Sequence, residues 1–559
     1  LRFAILFLLG SAWLVPLHFL PWMSWHSEVP AFLAVFLGGC FVLGQKLTAW
    51  RPIIEIPGSA MVWLGLGLLA MLQSACGLIT FAGDALVLNL YFALCAIAWV
   101  LGYSGTRDRT MEDDSQTMMV AVAATLLAGA AVSTLIALVQ VFDVWDSASW
   151  ISRMPQLRRP GGNLGQPNQL ATLLLMGMAS LLFLQQTGRL GAATGWLLFL
   201  LLCVGVAVSE SRTGVLSFSL LVLWGMAGRT RVGLKIPLWT MALASALFLA
   251  LCLSWPMLMA SAGSFTPDAQ LNMRTGLRLA IWPQLIEAVF MHPWLGWGLR
   301  EVSAAHNAVV HAYEISEPIT YAHNILLDLA IGIGLPLTGL LILMTSVWVW
   351  RRVRATRHLL SWYCVAAVLP VVVHSMLEFP FAYAYFLAPA MFLLGRLESL
   401  TGGHVVWRIN TKIAAVFMGM TTIMACWSVV EYLKIEEDFR VARFEALHVG
   451  QTPADYERPK VTLLTQLGGL LEGARIVPKP GMQREQLELA RAVASRYPWP
   501  ATQNRYALSL ALNDNSTEAI RQLQVMRAMH GQKTYAEIKS NWDTLGQEKY
   551  PQLRELKLP

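Results

Sequence analysis

Runs of about 18–25 apolar residues recur along this chain, and no other feature constrains its fold as strongly. Coiled as a helix, such a run crosses the ~30 Å hydrocarbon core of a bilayer. Of 559 residues, 56% are hydrophobic and only 13% charged, too apolar a balance for a soluble chain of this length. The expected fold class is all-α: a polytopic membrane protein with about thirteen transmembrane helices. They are placed near 3–20, 30–45, 58–80, 85–102, 117–142, 168–187, 191–208, 213–228, 236–259, 323–350, 359–377, 381–397 and 410–433. A secretory signal is the rival reading of residues 1–20. The aromatic, Pro-rich "FLPWMSWHSEVP" after it lacks a small-residue cleavage site, so a first span is expected.

With the N-terminus in the cytoplasm, the inside loops are "QKLTAWRP", "GTRDRTMEDD", "QQTGRLG", "GRTRVGLK", "WRRVRATRH" and "GRLESLTGGHVVWRINTK". Each carries Lys or Arg, whereas the outside connections "PWMSWHSEVP" and "TFAGD" carry neither, as the positive-inside bias demands. Residues 434–559 then lie outside. The seven cysteines, Cys40, Cys76, Cys95, Cys203, Cys252, Cys364 and Cys426, all fall in apolar runs, and no structural disulfide is expected.

Three outside segments nevertheless carry arginine: 143–167 with Arg153, Arg158 and Arg159; the turn "SESRTG" with Arg212; and the loop 260–322 with Arg274, Arg278 and Arg300. Ordinary surface charge is the plain reading of the loop arginines, and a bound anion is the functional one. Arg212 sits in a tight turn at the membrane boundary, where a charge is costly and tends to be functional. The loop stretch 272–302 reads as an amphipathic helix along the membrane surface, with Arg274 and Arg278 one turn apart. Two such guanidiniums repel unless they share an anion such as pyrophosphate.

"RRPGGNLGQPNQLATLLL" opens a span, with Pro167 suited to the first helical turn. Gln166, Asn168 and Gln169 place amide groups at the positive helix end. The motif is either a capped helix start or a cradle for an anion or sugar. Glu210 stands beside Arg212 as its simplest ionic partner. In "ITYAHNILLDLAIGIGLP", His323 and Asn324 stand where the long loop enters a span, with Asp328 about one turn on as a candidate to orient the imidazole. "HSMLEFPFAYAYF" puts His374 and Glu378 one turn apart, with Tyr383 and Tyr385 close behind. No nucleotide-binding loop, zinc-type Cys/His spacing, nucleophile elbow or acidic metal pair is visible.

The ordered set "GNLGQPNQLA", "ESRTG", "RLAIWPQLIEAVFMHPWLGWG", "YAHNILLDLAIGIGLP" and "EFPF", spanning roughly 155–400, resembles the signatures of bacterial O-oligosaccharyltransferases of the PglL type, in the superfamily of O-antigen ligases and polymerases. The resemblance implies a GT-C-type glycosyltransferase of the bacterial inner membrane with its site facing the periplasm. The implied donor is an oligosaccharide on undecaprenyl pyrophosphate, and the acceptor a Ser or Thr hydroxyl of a periplasmic protein such as pilin. It implies no metal and no cofactor. It also makes His323 the essential polar residue and Arg212 the arginine just after the seventh span, with Gln166, Asn168 and Gln169 as the amide motif. Many relatives have "EYP" where this chain has Phe379, which leaves Tyr383 as a possible phenolic substitute. On this reading Arg212, Arg274 and Arg278 stabilise the leaving pyrophosphate, His323 takes the acceptor's proton and Asn324 binds substrate, with Glu378, Tyr383, Asp328 and Glu210 supporting.

Two domains are expected: a membrane transferase, 1–433, and a helical, tetratricopeptide-like periplasmic domain, 434–559, in which "REQLELARAVASRYPWPATQNRYALSLALNDNSTEAIRQLQVMRAM" reads as paired amphipathic helices. Such a domain either caps the membrane part or steers a protein acceptor. The rival activities are an O-antigen ligase that uses lipid A-core as acceptor, a repeat-unit polymerase, and a transporter of lipid-linked glycan. Transport needs a polar path through the spans, yet the charges cluster on one side.

Overall fold

The computed structural model describes residues 1–47, 53–104, 112–144, 149–153, 159–261 and 269–556; the side chains of 112–115, 260–261 and 269–279 are outside that description. The helices are α1 (Arg2–Ser11), α2 (Trp25–Leu47), α3 (Gly58–Ala75), α4 (Ala82–Tyr103), α5 (Glu112–Phe142), α6 (Pro167–Gln186), α7 (Ala192–Ser209), α8 (Arg212–Arg231), α9 (Leu238–Ser261), α10 (Ala269–Met291), α11 (Val302–Val309), α12 (Ile325–Ala355), α13 (Leu359–Ser375), α14 (Ala384–Leu400), α15 (Thr411–Ala446), α16 (Thr465–Ala474), α17 (Arg484–Arg496), α18 (Pro500–Ala511) and α19 (Ser516–Glu548). The all-α membrane class is thus observed. Among the described residues, nine helices are long and apolar enough to cross a bilayer: α2 to α7, α9, α12 and α15. The expected count was about thirteen. Of the rest, α1 has only 10 residues, ending before Pro16 and Pro21, and α13 and α14 have 17 each.

The chain divides into two units, one of residues 1–66, 90–267 and 344–424, the other of 67–89, 268–343 and 425–559. In the first, α6 is the central helix, packed by α5, α7, α8 and α13. It is apolar on every face, and nearly all of Gln169–Leu184 is buried, as expected of a helix surrounded by others. Its one mid-helix hydroxyl is satisfied: Ser180 Oγ bonds the Met176 carbonyl (2.8 Å) and Tyr363 Oη (3.0 Å).

Hydrogen bonds sort the loops of this unit into two sets. Arg231 Nη1 donates to the Val353 carbonyl (2.8 Å), Arg352 Nη1 to the Thr401 carbonyl (2.7 Å) and the Lys235 N–H to Gln186 Oε1 (2.9 Å). All of these belong to loops expected inside. A feature absent from the all-α expectation joins the same set. β1 (Ile53–Pro57) pairs antiparallel with β2 (Val405–Asn410), Glu55 facing Arg408 at 3.2 Å. Their β-branched runs, "IIEIP" and "VVWRIN", explain why two short loops pair as strands. The opposite loops bond one another: His18 Nε2 lies 2.8 Å from the Asn163 carbonyl, and Asn163 Nδ2 donates to the carbonyls of Leu14 (2.7 Å) and Trp150 (3.0 Å).

In the second unit α12 is not one continuous helix, as the expected span 323–350 would have it. It breaks at Gly334 (φ 76°), where the "HPWLGWG" loop crosses. The Leu335 N–H bonds the Pro293 carbonyl and the Trp297 N–H bonds the Ile331 carbonyl, both at 2.7 Å. A Cβ on Gly334 would lie 2.3 Å from the Trp294 carbonyl oxygen, and one on Gly296 would lie 2.5 Å from that of Ile331, so glycine is required on both sides of the crossing.

The C-terminal helices belong to this second unit. α15 runs past its expected end near 433, and its acidic side chains organise the segment leading to α16 and beyond. Glu431 accepts the N–H groups of Thr462, Leu463 and Leu464 ahead of α16, and Asp438 binds Arg475 through two bonds of 2.8 and 2.7 Å. The expected amphipathic pair exists as α17, α18 and the first part of α19, packed around Ala490, Tyr506, Leu510, Leu523, Met526 and Trp542. Arg496 at the end of α17 binds Asp84 of α4 through Nε (2.7 Å) and Nη2 (2.8 Å), with Asp84 wholly buried. Desolvation disfavours the Arg496 charge, but the Asp84 carboxylate outweighs it and drives the guanidinium pKa up.

His306 of α11 is fully buried; its Nε2 donates to Gln284 Oε1 (2.9 Å), whereas its Nδ1 meets no partner among the described residues. Protonating Nδ1 would bury an unpaired N–H, and burial accordingly lowers the His306 pKa to about 4. Two outcomes are expected. Arg496→Ala, which strands the Asp84 carboxylate, lowers stability by about 3–5 kcal/mol in thermal unfolding. Because the unfolded imidazole takes a proton near its ordinary value and the folded one resists until about 4, stability present at neutral pH is lost as pH falls across that interval. The loss reaches roughly 3 kcal/mol, and His306→Gln abolishes it.

Candidate active site

Polar side chains of the first unit gather where α6 begins, α7 turns into α8, and α13 passes to α14. The glycine-rich half of "GGNLGQPNQ" is held by amides: Gln140 of α5 accepts the Gly162 N–H (3.0 Å) and donates to its carbonyl (3.1 Å). Asn163 accepts the Ser152 N–H (3.0 Å). That half shapes the loop, and the second half carries the network. Ser211 caps α8 by accepting the Gly214 N–H (3.0 Å) and donates to Asn168 Oδ1 (2.6 Å). Asn168 Nδ2 donates to Glu378 Oε1 (2.6 Å), and Glu378 Oε2 meets His374 Nε2 at 2.9 Å. Thr172 Oγ1 gives its proton to the Asn168 carbonyl (2.9 Å), so it accepts from His374 Nδ1 (2.9 Å).

A second branch fixes the neighbouring amides. Tyr385, fully buried, donates to Gln169 Oε1 (2.7 Å), and Gln169 Nε2 donates to Gln166 Oε1 (2.8 Å). With its oxygen engaged, Gln166 presents its NH2 end. Tyr383 stacks on Tyr385 with ring centroids 5.2 Å apart and lies 6.0 Å from Phe379. The phenol tied to the amide motif is therefore Tyr385, which spacing alone did not separate from Tyr383.

The turn before Arg212 is clamped by Arg159, whose Nε and Nη2 donate to the Ser209 carbonyl (3.1 and 2.9 Å) and whose Nη2 also reaches the Glu210 carbonyl (2.9 Å). Glu210 is left-handed (φ 49°), a conformation costing a residue with a Cβ about 1–2 kcal/mol. Burial raises the Glu210 carboxyl pKa against the opposing pull of Arg159. The expected pairing of Glu210 with Arg212 is thus replaced by a charge relation with Arg159. Arg212 itself is exposed in the first turn of α8. A cation at the positive end of a helix is disfavoured unless an anion joins it, and both groups attract phosphate.

The second unit carries His323, half-buried and left-handed at φ 55°. Its turn is fixed on several sides. Trp282 Nε1 donates to the Ala322 carbonyl (3.1 Å), and the Ala322 N–H donates to Asp328 Oδ2 (3.0 Å). Asn324 Oδ1 caps α12 by accepting the N–H groups of Leu326 (2.9 Å) and Leu327 (3.1 Å). Asp328, the candidate to orient the imidazole, also anchors the main chain one residue before it through Oδ2. Asn324, the candidate substrate ligand, also caps the helix through Oδ1. Tyr321 Oη accepts from Arg300, a residue also left-handed (φ 73°).

Arg274 and Arg278 fall on α10, but their side chains lie outside the described residues, as does Arg158. Among the described residues, no three His, Cys, Asp or Glu side chains converge as a metal site. Cavities of ~200 and ~450 Å³ in the first unit are lined respectively by Arg2, Lys46 and Arg396 and by Gln185, Gln186 and Lys235, on the side of the other loop set; neither includes the network residues.

The chain matches three families: residues 160–184 a protein glycosylation ligase family, 197–342 the O-antigen ligase family, and 362–544 the C-terminal part of a virulence factor membrane-bound polymerase family. It is 25% identical over 556 residues, 95% of this chain and 93% of the relative, to a general O-oligosaccharyltransferase of Acinetobacter baylyi. It is 26% identical over 429 residues, 75% of this chain and 74% of the relative, to a ComP-specific O-oligosaccharyltransferase of the same organism. The first two matches contain the Asn168 amide motif and the Arg212 and His323 turns, and the likeness runs on through the C-terminal helices. The chain is thus a membrane glycosyltransferase similar to O-oligosaccharyltransferases and, over residues 197–342, to the O-antigen ligase family.

Proposed function

We propose that this protein transfers an oligosaccharide en bloc from undecaprenyl pyrophosphate to Ser or Thr hydroxyls of periplasmic proteins, pilin among them. The observation that carries the acceptor class is the likeness over 95% of the chain to a general O-oligosaccharyltransferase. The match of residues 197–342 to the O-antigen ligase family supports a second reading, in which lipid A-core accepts the same glycan. The basic loop set faces the cytoplasm, and the Asn168 network and the His323 turn face the periplasm.

In the transfer, the acceptor hydroxyl oxygen attacks the anomeric carbon, the bond from that carbon to the pyrophosphate oxygen breaks, and undecaprenyl pyrophosphate departs. His323 takes the hydroxyl proton; the strained turn, its main chain held at Ala322, supports this role by fixing the backbone that carries the imidazole before substrate arrives. Arg212, joined by Arg274 and Arg278, offsets the charge that grows on the leaving pyrophosphate, and the start of α8 adds its N–H groups. Gln166, Asn168 and Gln169 hold donor oxygens, with Glu378 and Tyr385 fixing the orientation of the amides. The transfer needs no metal.

Three outcomes are expected. First, purified protein given lipid-linked glycan with pilin and lipid A-core in competition glycosylates the pilin, read by mass spectrometry; sugar on lipid A-core alone selects the second reading. Second, His323→Ala, expressed and folded normally, loses about 10²–10⁴-fold in rate. Undiminished transfer would remove His323 from the chemistry. Third, Arg212→Ala costs more than Arg212→Lys, since the fork geometry matters for pyrophosphate, and a chelator leaves the rate unchanged.

A further inference from the structure

We propose that Arg300 and Tyr321 are positioning residues for His323, forming a strut seated on Asp84 and, through it, on Arg496 of the C-terminal helices. The inference rests on the proposed role of His323 as the base. All of these residues lie in one unit of the fold. Arg300 spans two partners: its Nε sits 3.5 Å from Asp84 Oδ1 and its Nη1 donates to Tyr321 Oη. Its guanidinium carbon also stands 5.5 Å from the Tyr321 ring centroid, so ring face and hydroxyl are gripped together. Two residues on stands His323.

The strut is built at both ends. Asp84 is wholly buried in the first turn of α4, where a carboxylate suits the helix end, and Arg496 takes both its oxygens through a bidentate bond. Asp84 therefore cannot follow Arg300 if the loop shifts; it holds Arg300 in place. Beside it, Glu301 Oε1 accepts the Thr80 N–H at 2.7 Å, pinning the residue next to Arg300 to the same α3–α4 turn. The left-handed backbone at Arg300 is what turns its side chain away from the helical path that α11 takes two residues later. A loop needing only an ordinary surface arginine has no use for a strained backbone, a buried carboxylate and a stacked tyrosine in series.

At the far end the strut is not redundant with the other restraints on the turn. Trp282 and Asp328 hold the carbonyl and N–H of Ala322, and Asn324 fixes the helix start. Those bonds set the main chain on either side of His323. The Arg300–Tyr321 grip sets the approach of the chain from the loop, and hence the angle at which the left-handed residue leaves it. A shift of this kind misplaces a reacting group without unfolding anything, which costs turnover far more than binding.

The test uses the full chain in membranes or detergent with lipid-linked glycan and a protein acceptor. Tyr321→Phe keeps the ring under the guanidinium and removes only the hydroxyl. It is expected to lower kcat roughly tenfold while both KM values and the unfolding midpoint stay as in the parent. Arg300→Ala is expected to lower kcat further, and Arg300→Lys, which keeps a cation for Asp84, to recover part of that loss. Parent-like kcat in Tyr321→Phe and Arg300→Ala, or a loss confined to KM, overturns the proposal. If Arg300→Ala fails to fold, Tyr321→Phe decides alone. His323→Ala is run alongside. If it is inactive while the strut variants are normal, only this inference fails; if it is fully active, the proposed role of His323 fails as well.

Discussion

Hydrocarbon offers a backbone no hydrogen-bond partner, and the rest of this structure depends on that absence. Backbone N–H and C=O groups in the apolar runs are therefore satisfied mainly inside their own helices, with the crossing loop supplying the bonds where α12 breaks at Gly334, so the chain becomes a set of helices. Most polar side chains then complete one another or reach a boundary, although the hydroxyls of Ser133 and Thr338 are buried without a partner among the described residues. α6 shows both: mid-helix it carries a single hydroxyl, satisfied by Met176 and Tyr363, and at its start it carries Asn168, Gln169 and Thr172. The network from Ser211 to His374 is the form those residues take when each donor must find an acceptor.

Three of the six left-handed non-glycine residues among those described lie in the turns named above. Glu210, Arg300 and His323 are left-handed without being glycine, and each is held by contacts that outweigh the cost: Arg159 on two carbonyls, Asp84 with Tyr321, and the bonds to Ala322 and from Asn324. Each turn is held in place without substrate, which suits the electrostatic stabilisation proposed for a leaving pyrophosphate.

Much of this was legible in the sequence because it depends on local period and charge. Long apolar runs located most of the helices, and several of the short Lys- and Arg-bearing loops are joined to one another by hydrogen bonds. Pro167 and Asn324 marked helix starts that exist. What was not legible depends on distance along the chain. Asp84 and Arg496 are 412 residues apart, and nothing local at either position marks the other. The β1–β2 pair joins loops whose β-branched residues read as ordinary connectors. Arg159 was visible as a misplaced cation but not as the clamp on the turn before Arg212, and Tyr385 differed from Tyr383 only through burial and its bond to Gln169. Gly334 lay in an apolar run that gives no sign of a crossing loop.

The proposed transfer is a single direct displacement in which His323 removes the acceptor's proton. Its most direct test is the anomeric configuration of the product, read by NMR after transfer from a lipid-linked glycan of known configuration. Inversion is expected, because the hydroxyl attacks the face opposite the pyrophosphate. Retention would contradict it, since a single displacement from the opposite face cannot leave the anomeric configuration unchanged.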